Sequence, residues 1–291
     1  MSKINSLKQY IILTRLNQPI GFLLLMLPCI WGVLAACNNM NDLNNNLFLI
    51  VLFIFGSVIM RSAGCIINDI FDRNYDKKVS RTILRPLVKG TISVSNALIC
   101  FFFLSLLGLS ILLSLDKLSI IIGLISFILL LIYPLMKRIT YWPQLVLGIT
   151  FNIGILIAFA AVTSTLNLSI IFLYFAGIFW TLGYDTIYAH QDKDDDFLLN
   201  LKSSAIKLGQ NTKYALLIFY TIFFMIFAVM LLSLSNSLII HLAILSLLIH
   251  LVSQIIYLDI DNSDRCLKIF KSNNLLGLQI SFFLVLELII N

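Results

Sequence analysis

Long apolar runs recur along the whole chain, and they restrict the choice of fold more than any other feature. Hydrophobic residues make up 60% of the 291 residues, and charged residues only 12%. Runs of about twenty apolar residues match the length of an α-helix that crosses a bilayer. Because the runs are continuous and do not alternate with polar residues, they exclude a transmembrane β-barrel. We therefore predict an all-α integral membrane protein that forms a single polytopic domain over residues 1–291.

The runs predict about nine transmembrane helices around a central cavity. We expect the spans at residues 19–37, 47–67, 92–114, 118–135, 141–163, 167–187, 212–232, 237–258 and 273–290. An odd number of crossings places the two ends of the chain on opposite sides of the membrane.

The distribution of cations predicts the orientation of these helices. Of the twenty Lys and Arg residues, we assign nineteen to one side, counting Arg61 near the connection after the second span, and only Lys117 to the other. The positive-inside rule then places the N-terminus and the acidic segments in the cytoplasm and the C-terminus in the periplasm of a bacterial inner membrane. The net charge of +6 reflects topology and anionic lipid, so we expect membrane lipid and no nucleic acid as a partner. We infer no obligate protein partner.

One acidic cluster directly follows the second apolar run. On a helix, the spacing of Asn68, Asp69, Asp72 and Asp76 places their side chains along one stripe. Carboxylates stacked this closely repel one another, so we expect a cation among them. Hard oxygen ligands favour Mg²⁺ over a thiophilic metal. The alternative is a solvated helix end whose acids serve only solubility.

A second acidic cluster follows the sixth apolar run, with Asp185, Asp192 and Asp196 at helical steps of seven and four. Of the fourteen acidic residues, three lie in the first cluster and five in the second, whereas solvation alone would scatter them. A basic segment from Lys77 to Arg85 is of the kind that closes over a polyanion, although the positive-inside rule also accounts for its charge. Acidic clusters that hold Mg²⁺ among cations predict a site for a diphosphate.

These motifs resemble the two signatures of the UbiA-type intramembrane prenyltransferases. The matching segments are Asn68-Asp69-x-x-Asp72-x-x-x-Asp76, Arg81-Thr82-x-x-Arg85-Pro86, Tyr184-Asp185, Tyr188-Ala189, Asp192-x-x-Asp195-Asp196 and the N-terminal Arg15…Pro19-Ile20-Gly21. The resemblance covers nearly the whole chain. Within the family, the segment Tyr133-Pro134-x-x-Lys137-Arg138 resembles the members that prenylate 4-hydroxybenzoate in ubiquinone synthesis.

The resemblance implies a role for each matching residue. The metal ligands would be Asn68, Asp69, Asp72, Asp76, Asp192 and Asp196, and the catalytic residues Asp72, Asp76, Asp192 and Asp196. The diphosphate would be bound by Arg15, Arg81 and Lys202, and the carboxylate of the acceptor by Arg138. In the implied reaction, Mg²⁺ draws off diphosphate and the polyprenyl cation attacks the ring carbon ortho to the phenol of a small aromatic acid.

Two alternatives stay open at this point. Related family members act on homogentisate, dihydroxynaphthoate or haem with the same motifs, so the acceptor could be another aromatic compound. A secondary transporter is the alternative from a different class, because carboxylates within a membrane also mark ion pathways. Such carboxylates would be expected near the middle of a span, whereas both clusters here follow the ends of apolar runs.

Overall fold

Nine apolar helices account for the nine predicted runs. The computed structural model describes residues 3–290, and its long helices are α1 (Ile20–Ala36), α2 (Leu47–Asp76), α3 (Val94–Leu112), α4 (Lys117–Ile132), α5 (Pro143–Thr163), α6 (Leu168–Ala189), α7 (Thr212–Leu234), α8 (Leu238–Tyr257) and α9 (Ser263–Ile290). Eight of the helical segments are long and apolar enough to cross a membrane, and α1 is a shorter apolar helix of 17 residues. The prediction of an all-α membrane protein with about nine spans is confirmed.

Short helices connect the spans. They comprise the N-terminal helix Lys3–Leu13, the α-helices Met40–Asn45, Pro86–Lys89, Met136–Ile139, Lys193–Leu198 and Ser204–Leu208, and the 3₁₀ turns Tyr133–Leu135 and Gly209–Asn211. All but Met40–Asn45 belong to connections on the side of the bundle where α2 and α6 end. We call this side the acidic face, because both acidic clusters lie there.

Two helices extend further than their apolar runs predicted. Helix α2 continues past residue 67 to Asp76, and α9 begins at Ser263, ten residues before the predicted position. The extension of α2 is supported by burial, since Asp69 and Asp76 are buried and Ile70 packs against the apolar cluster that contains Leu13 and Leu87. A hydropathy boundary marks where a helix leaves lipid, and packing decides how far the helix continues.

The centre of the bundle is built from α1, α5, α6 and α9. Gly32 of α1 lies against α5, where an added Cβ would meet the carbonyl oxygen of Ile155. The indoles of Trp31 and Trp180 pack with their ring centroids 5.0 Å apart, and both side chains are fully buried. Trp31 Nε1 donates to the carbonyl of Gly277 at 3.3 Å, which ties α1 to α9.

A buried polar network joins α6, α7, α8 and α9 within the apolar layer. Tyr220 Oη donates to Gln254 Oε1 at 2.6 Å, and Gln254 Nε2 donates to Asn273 Oδ1 at 3.1 Å. Trp180 Nε1 donates to the same Asn273 oxygen at 2.8 Å. Unpaired polar groups are costly where no water can reach them, so mutual pairing fixes the relative rotation of these helices. Gln254 is therefore a structural residue.

The nine crossings predict that residue 200 and the C-terminus lie on opposite sides of the membrane. Asn200 is exposed in the connection between α6 and α7 on the acidic face, and three further crossings follow it. We expect a reporter inserted at Asn200 and a reporter fused to the C-terminus to give opposite signals in a topology assay. A reporter between α1 and α2 is the control and should match the C-terminal one. The same signal from Asn200 and the C-terminus would mean that one of these helices does not cross.

Candidate active site

Helix α2 carries the whole first acidic motif. The helix continues without interruption to Asp76, so the side chains of Asn68, Asp69, Asp72 and Asp76 follow one another along its surface as predicted. Asn68 Nδ2 donates to Asp72 Oδ2 at 3.2 Å, one turn further along the helix. The predicted helical stripe is therefore present, at the end of α2 on the acidic face.

Asp69 is the most deeply buried member of the stripe and the one most completely paired. Its carboxylate is 2% exposed, and both of its oxygens accept from Arg15 Nη2, at 2.8 and 2.9 Å. Arg85 Nη1 lies 3.0 Å from the same carboxylate. Arg15 has a positive φ of 58°, an uncommon conformation for a residue with a side chain. The ion pair with Asp69 offsets the free-energy cost of the left-handed backbone conformation that Arg15 adopts in the turn after the N-terminal helix.

Arg85 joins two turns of the stripe. Its Nη1 lies 2.6 Å from Asp76 Oδ2 as well as against Asp69. Burial opposes the charge on Arg85, but the two carboxylates outweigh it, and the pKa of the guanidinium is raised. Thr82 Oγ1 also donates to the carbonyl of Asp76 at 2.9 Å. The basic segment after α2 is therefore folded back onto the acids that precede it.

The second acidic motif does not continue as one helix. Helix α6 ends at Ala189, and a separate short helix begins at Lys193, so the predicted helical step of seven from Asp185 to Asp192 is wrong. The predicted step of four from Asp192 to Asp196 is present, because Asp196 N donates to Asp192 O at 2.8 Å. The connecting amides bond at i−3 spacing, with Gln191 N donating to Tyr188 O at 3.1 Å. Such bonds tighten the chain over residues 190–192 and separate α6 from the short helix that Asp192 precedes.

The break turns Asp192 and Asp196 toward cations from other parts of the chain. Arg81 Nε donates to Asp192 Oδ1 at 2.9 Å, and Arg81 Nη2 pairs with the other oxygen. Lys137 Nζ lies 3.6 Å from Asp196 Oδ2. Burial raises the pKa of the Asp196 carboxyl, although Lys137 opposes the shift. Arg81 comes from the segment after α2, so its ion pair connects the first motif to the second.

Both motifs face one large cavity, with a volume of about 1280 Å³. Eight of the predicted site residues line it, namely Arg15, Asn68, Asp69, Asp72, Asp76, Arg81, Asp192 and Asp196. Asp185 lines it as well. The cavity also reaches the outer surface of the bundle, because its lining includes Leu106 and Leu124, whose side chains are 65% and 47% exposed.

Two predicted site residues do not line this cavity. Arg138 Nη2 donates to the carbonyl of Phe71 at 2.8 Å and lies 3.6 Å from Asp72 Oδ1, with its guanidinium 5.0 Å from the centroid of the Tyr75 ring. Lys202 Nζ donates to the carbonyl of Ile139 at 3.0 Å. Both cations lie behind the cavity wall on the acidic face.

Four cations that line the cavity have no site role predicted from the sequence, namely Arg61, Arg85, Lys137 and Lys271. Arg61 is the most informative, because it lies inside α2 and not near a connection. Its guanidinium carbon is 5.4 Å from the centroid of the Phe151 ring, and its Nε is buried without a hydrogen-bond partner. No described carboxylate lies within ion-pairing distance of it. The available signal was its position seven residues, or two helical turns, before Asn68, which places it on the same stripe.

The donor set suits a hard divalent cation. Among residues 3–290, no three acidic, His or Cys side chains converge as a ready-made metal cluster. The acids instead hold cations of the protein itself, as Asp192 holds Arg81 and Asp196 holds Lys137. Asp72 and Asp196 have the longest of the ion pairs at the site, each with its nearest cation 3.6 Å away. Carboxylate and amide oxygens around a water-accessible cavity fit Mg²⁺, provided that the protein's own cations move away from the carboxylates.

Comparison with known proteins agrees with this geometry. The model of the UbiA prenyltransferase family matches residues 25–283. The mitochondrial 4-hydroxybenzoate polyprenyltransferase of Bos taurus is 43% identical over 281 residues, which covers 96% of this chain and 75% of that protein.

Solved structures share the fold at lower identity. A UbiA homologue from Aeropyrum pernix K1 superimposes with a TM-score of 0.74 at 21% identity, covering 91% of this chain and 97% of the other. A UbiA homologue from Archaeoglobus fulgidus bound to GPP and Mg²⁺ has a TM-score of 0.68 at 17% identity, covering 95% of this chain and 99% of the other.

The pairing of Asp69 predicts that it contributes more to stability than Asp72. Asp69→Ala would remove the carboxylate that Arg15 and Arg85 share, leaving Arg85 with Asp76 and Arg15 without its ion pair. We expect a loss of about 1–3 kcal/mol in the free energy of unfolding, reduced by the partial exposure of the two arginines. Asp72→Ala is the matched control on the same stripe and should cost little. Unfolding in mixed detergent micelles would measure both variants, and equal losses would contradict the assignment.

Proposed function

This chain belongs to the UbiA prenyltransferase family, and from that premise we propose that it transfers a polyprenyl group from an allylic polyprenyl diphosphate to 4-hydroxybenzoate. The bond forms at the ring carbon ortho to the hydroxyl, a step of ubiquinone biosynthesis. The observation that carries this proposal is that both acidic motifs line one cavity, which continues between α2, α3 and α4 into a part lined mainly by apolar side chains. Such a cavity suits a substrate with an anionic head and a long apolar tail. The name of the bovine relative supports the choice of acceptor.

We propose that Asn68, Asp72, Asp76, Asp192 and Asp196 hold a divalent metal ion, with Mg²⁺ as the expected species. Bound metal would neutralise the charge that develops on the departing diphosphate. The resemblance implies Asp69 as a ligand too, but its carboxylate is engaged by Arg15 and Arg85, so we assign it the positioning of these two cations. The Archaeoglobus fulgidus homologue, whose structure holds GPP and Mg²⁺, is consistent with this chemistry.

The cations around the acids would bind the diphosphate. Arg15 and Arg81 line the cavity and can each present a planar fork to a phosphate oxygen pair. We propose that Arg81 leaves Asp192 for the diphosphate when the metal occupies the acid. Lys202 lies behind the cavity wall, where it bonds to Ile139 O. Its predicted contact with diphosphate therefore requires the segment around it to move.

Exclusion of water would protect the carbocation after diphosphate leaves. The cavity wall near the acids contains Tyr133, Phe151, Tyr184 and Tyr188. Their aromatic faces can stabilise a cation that is shielded from water.

Two arginines are candidates for binding the carboxylate of the acceptor. The resemblance implies Arg138, whose guanidinium faces Phe71 O, Asp72 and the Tyr75 ring. The Nε atoms of both arginines are buried without a hydrogen-bond partner, but of the two only Arg61 lines the cavity. The geometry favours Arg61 as the direct contact, and it gives Arg138 the task of holding Asp72.

We propose that the acidic face is cytoplasmic and that the C-terminus is periplasmic, in a bacterial inner membrane. The cations of the connections lie on the acidic face, which supports this orientation. The relative from Bos taurus is named as mitochondrial. In a mitochondrial setting the same rule would place the acidic face toward the matrix.

Metal dependence tests the site. We expect Asp72→Asn and Asp192→Asn each to lower prenyl transfer by about a hundredfold or more, the scale on which a lost transition-state electrostatic contact acts. Asp264→Asn, which neutralises an exposed acid at the start of α9, is the matched control and should keep its activity. Radiolabelled prenyl transfer by the detergent-purified protein, with Mg²⁺ or EDTA, is the measurement. Full activity of the wild type in EDTA would rule out a metal site between the motifs.

The choice between the two arginines is tested by steady-state kinetics with both substrates varied. We expect Arg61→Ala to raise the KM for 4-hydroxybenzoate by about tenfold or more with little change for the diphosphate, because one charged hydrogen bond to the acceptor is lost. Arg61→Lys should recover only part of the lost affinity for 4-hydroxybenzoate, since an ammonium lacks the planar geometry of the guanidinium group. Arg138→Ala should lower kcat with a smaller change in acceptor KM. The opposite pattern would assign the acceptor to Arg138.

A further inference from the structure

The cavity continues well beyond the acidic residues, toward the opposite face of the bundle. Its lining on α2 runs from Asp76 through Gly64 and Gly56 to Leu52. At about 1.5 Å per residue, this stretch of helix is about 36 Å long. We use the name apolar channel for the part lined by α2 and by the facing residues of α3 and α4, where aliphatic and aromatic side chains predominate. Its lining residues on α2 are Leu52, Phe53, Gly56, Ser57 and Met60.

Gly56 faces open space within the apolar channel. A Cβ built on Gly56 has only Ile111 Cγ2 within 4 Å, at 4.0 Å. The glycines of the facing helices α3 and α4 are different, because a Cβ on Gly108 would collide with Met60 and a Cβ on Gly123 would collide with Leu112. Those two are explained by close helix packing, whereas Gly56 is not.

Glycine inside a helix is less favourable than alanine, so a glycine at a position with room for a side chain calls for another explanation. The space that Gly56 leaves empty is continuous with the cavity at the acidic motifs. Gly56 precedes Asn68 by twelve residues, which corresponds to about 18 Å along the helix axis. A ligand anchored at the acids reaches this level only with a long tail.

We propose that Gly56 and the facing Ile111 determine which prenyl chain lengths the protein accepts, an inference that rests on the proposed prenyl-transfer function. A short allylic diphosphate ends before the level of Gly56, and a long one passes between α2 and α3 at this point. The residue at position 56 then affects only donors long enough to reach it. It acts on specificity and has no part in the chemistry at the acids.

The test fills the space from each wall in turn. Gly56→Phe adds a ring from α2, and Ile111→Trp adds one from α3. Ile54→Phe is the matched control, because Ile54 is on the same helix, 36% exposed and outside the cavity lining. Transfer to 4-hydroxybenzoate is measured for wild type and variants with geranyl, farnesyl and octaprenyl diphosphate, as kcat/KM for each donor.

We expect Gly56→Phe and Ile111→Trp to lower kcat/KM for octaprenyl diphosphate by about tenfold or more relative to geranyl diphosphate, the scale of forcing extra volume into a filled channel. Retained geranyl transfer by either variant shows that its fold is intact. Ile54→Phe should keep the wild-type ratio of the donors.

Two results would overturn the inference while leaving the proposed function in place. In the first, the wild type is active and both channel variants keep its donor ratio, which means that the chain leaves toward lipid near Leu106 and Leu124 before it reaches Gly56. In the second, the kcat/KM of both variants falls by the same factor for all three donors. A wild-type protein that transfers no prenyl group from any donor would refute the proposed function itself, and the inference with it.

Discussion

The structure depends on one electrostatic constraint, which is that acids at the end of a membrane helix need cations beside them. Asp69 shows the constraint most clearly, since it is 2% exposed and lies between Arg15 and Arg85. Burying a carboxylate without a partner costs several kcal/mol, and the paired guanidinium groups offset that cost. The pairing brings the N-terminal segment and the segment after α2 onto the same helix end, although they are distant in sequence. It therefore builds one wall of the cavity.

The same principle brings the two acidic motifs together. Arg81 spans from the first motif to Asp192, and Lys137 from the end of α4 reaches Asp196. Each of these cations pairs with a carboxylate that the proposed function assigns as a ligand of the metal ion. Binding of a divalent cation and a diphosphate would exchange partners without adding a large net charge to the site, because freed arginines can pair with phosphate oxygens. The cost of assembling so many charges at the membrane surface is thereby kept small in both states.

Polar groups elsewhere in the bundle have a different task. Tyr220, Gln254 and Asn273 satisfy one another between α7, α8 and α9, with Trp180 of α6 as a further donor. This network is remote in sequence from both acidic motifs and fixes one side of the bundle. The cavity extends along the other side, lined by α2, α3 and α4, where Gly56 leaves space unfilled. Rigid packing on one side thus accompanies an open channel on the other.

The sequence by itself determined the number and position of the spans, the helical stripe of Asn68 to Asp76 and the family, because apolar run length and residue spacing are local properties. Tertiary structure decided what local patterns do not contain. Helix α6 ends at Ala189, so the predicted helical step from Asp185 to Asp192 was wrong, and Asp192 pairs with Arg81 from the segment after α2. The placement of Arg61 inside the cavity, and of Arg138 and Lys202 behind its wall, depends on how helices distant in sequence pack. The sequence gives the position of each cation along the chain. Only the tertiary structure determines which carboxylate it pairs with, because ion pairing requires approach to within a few ångströms.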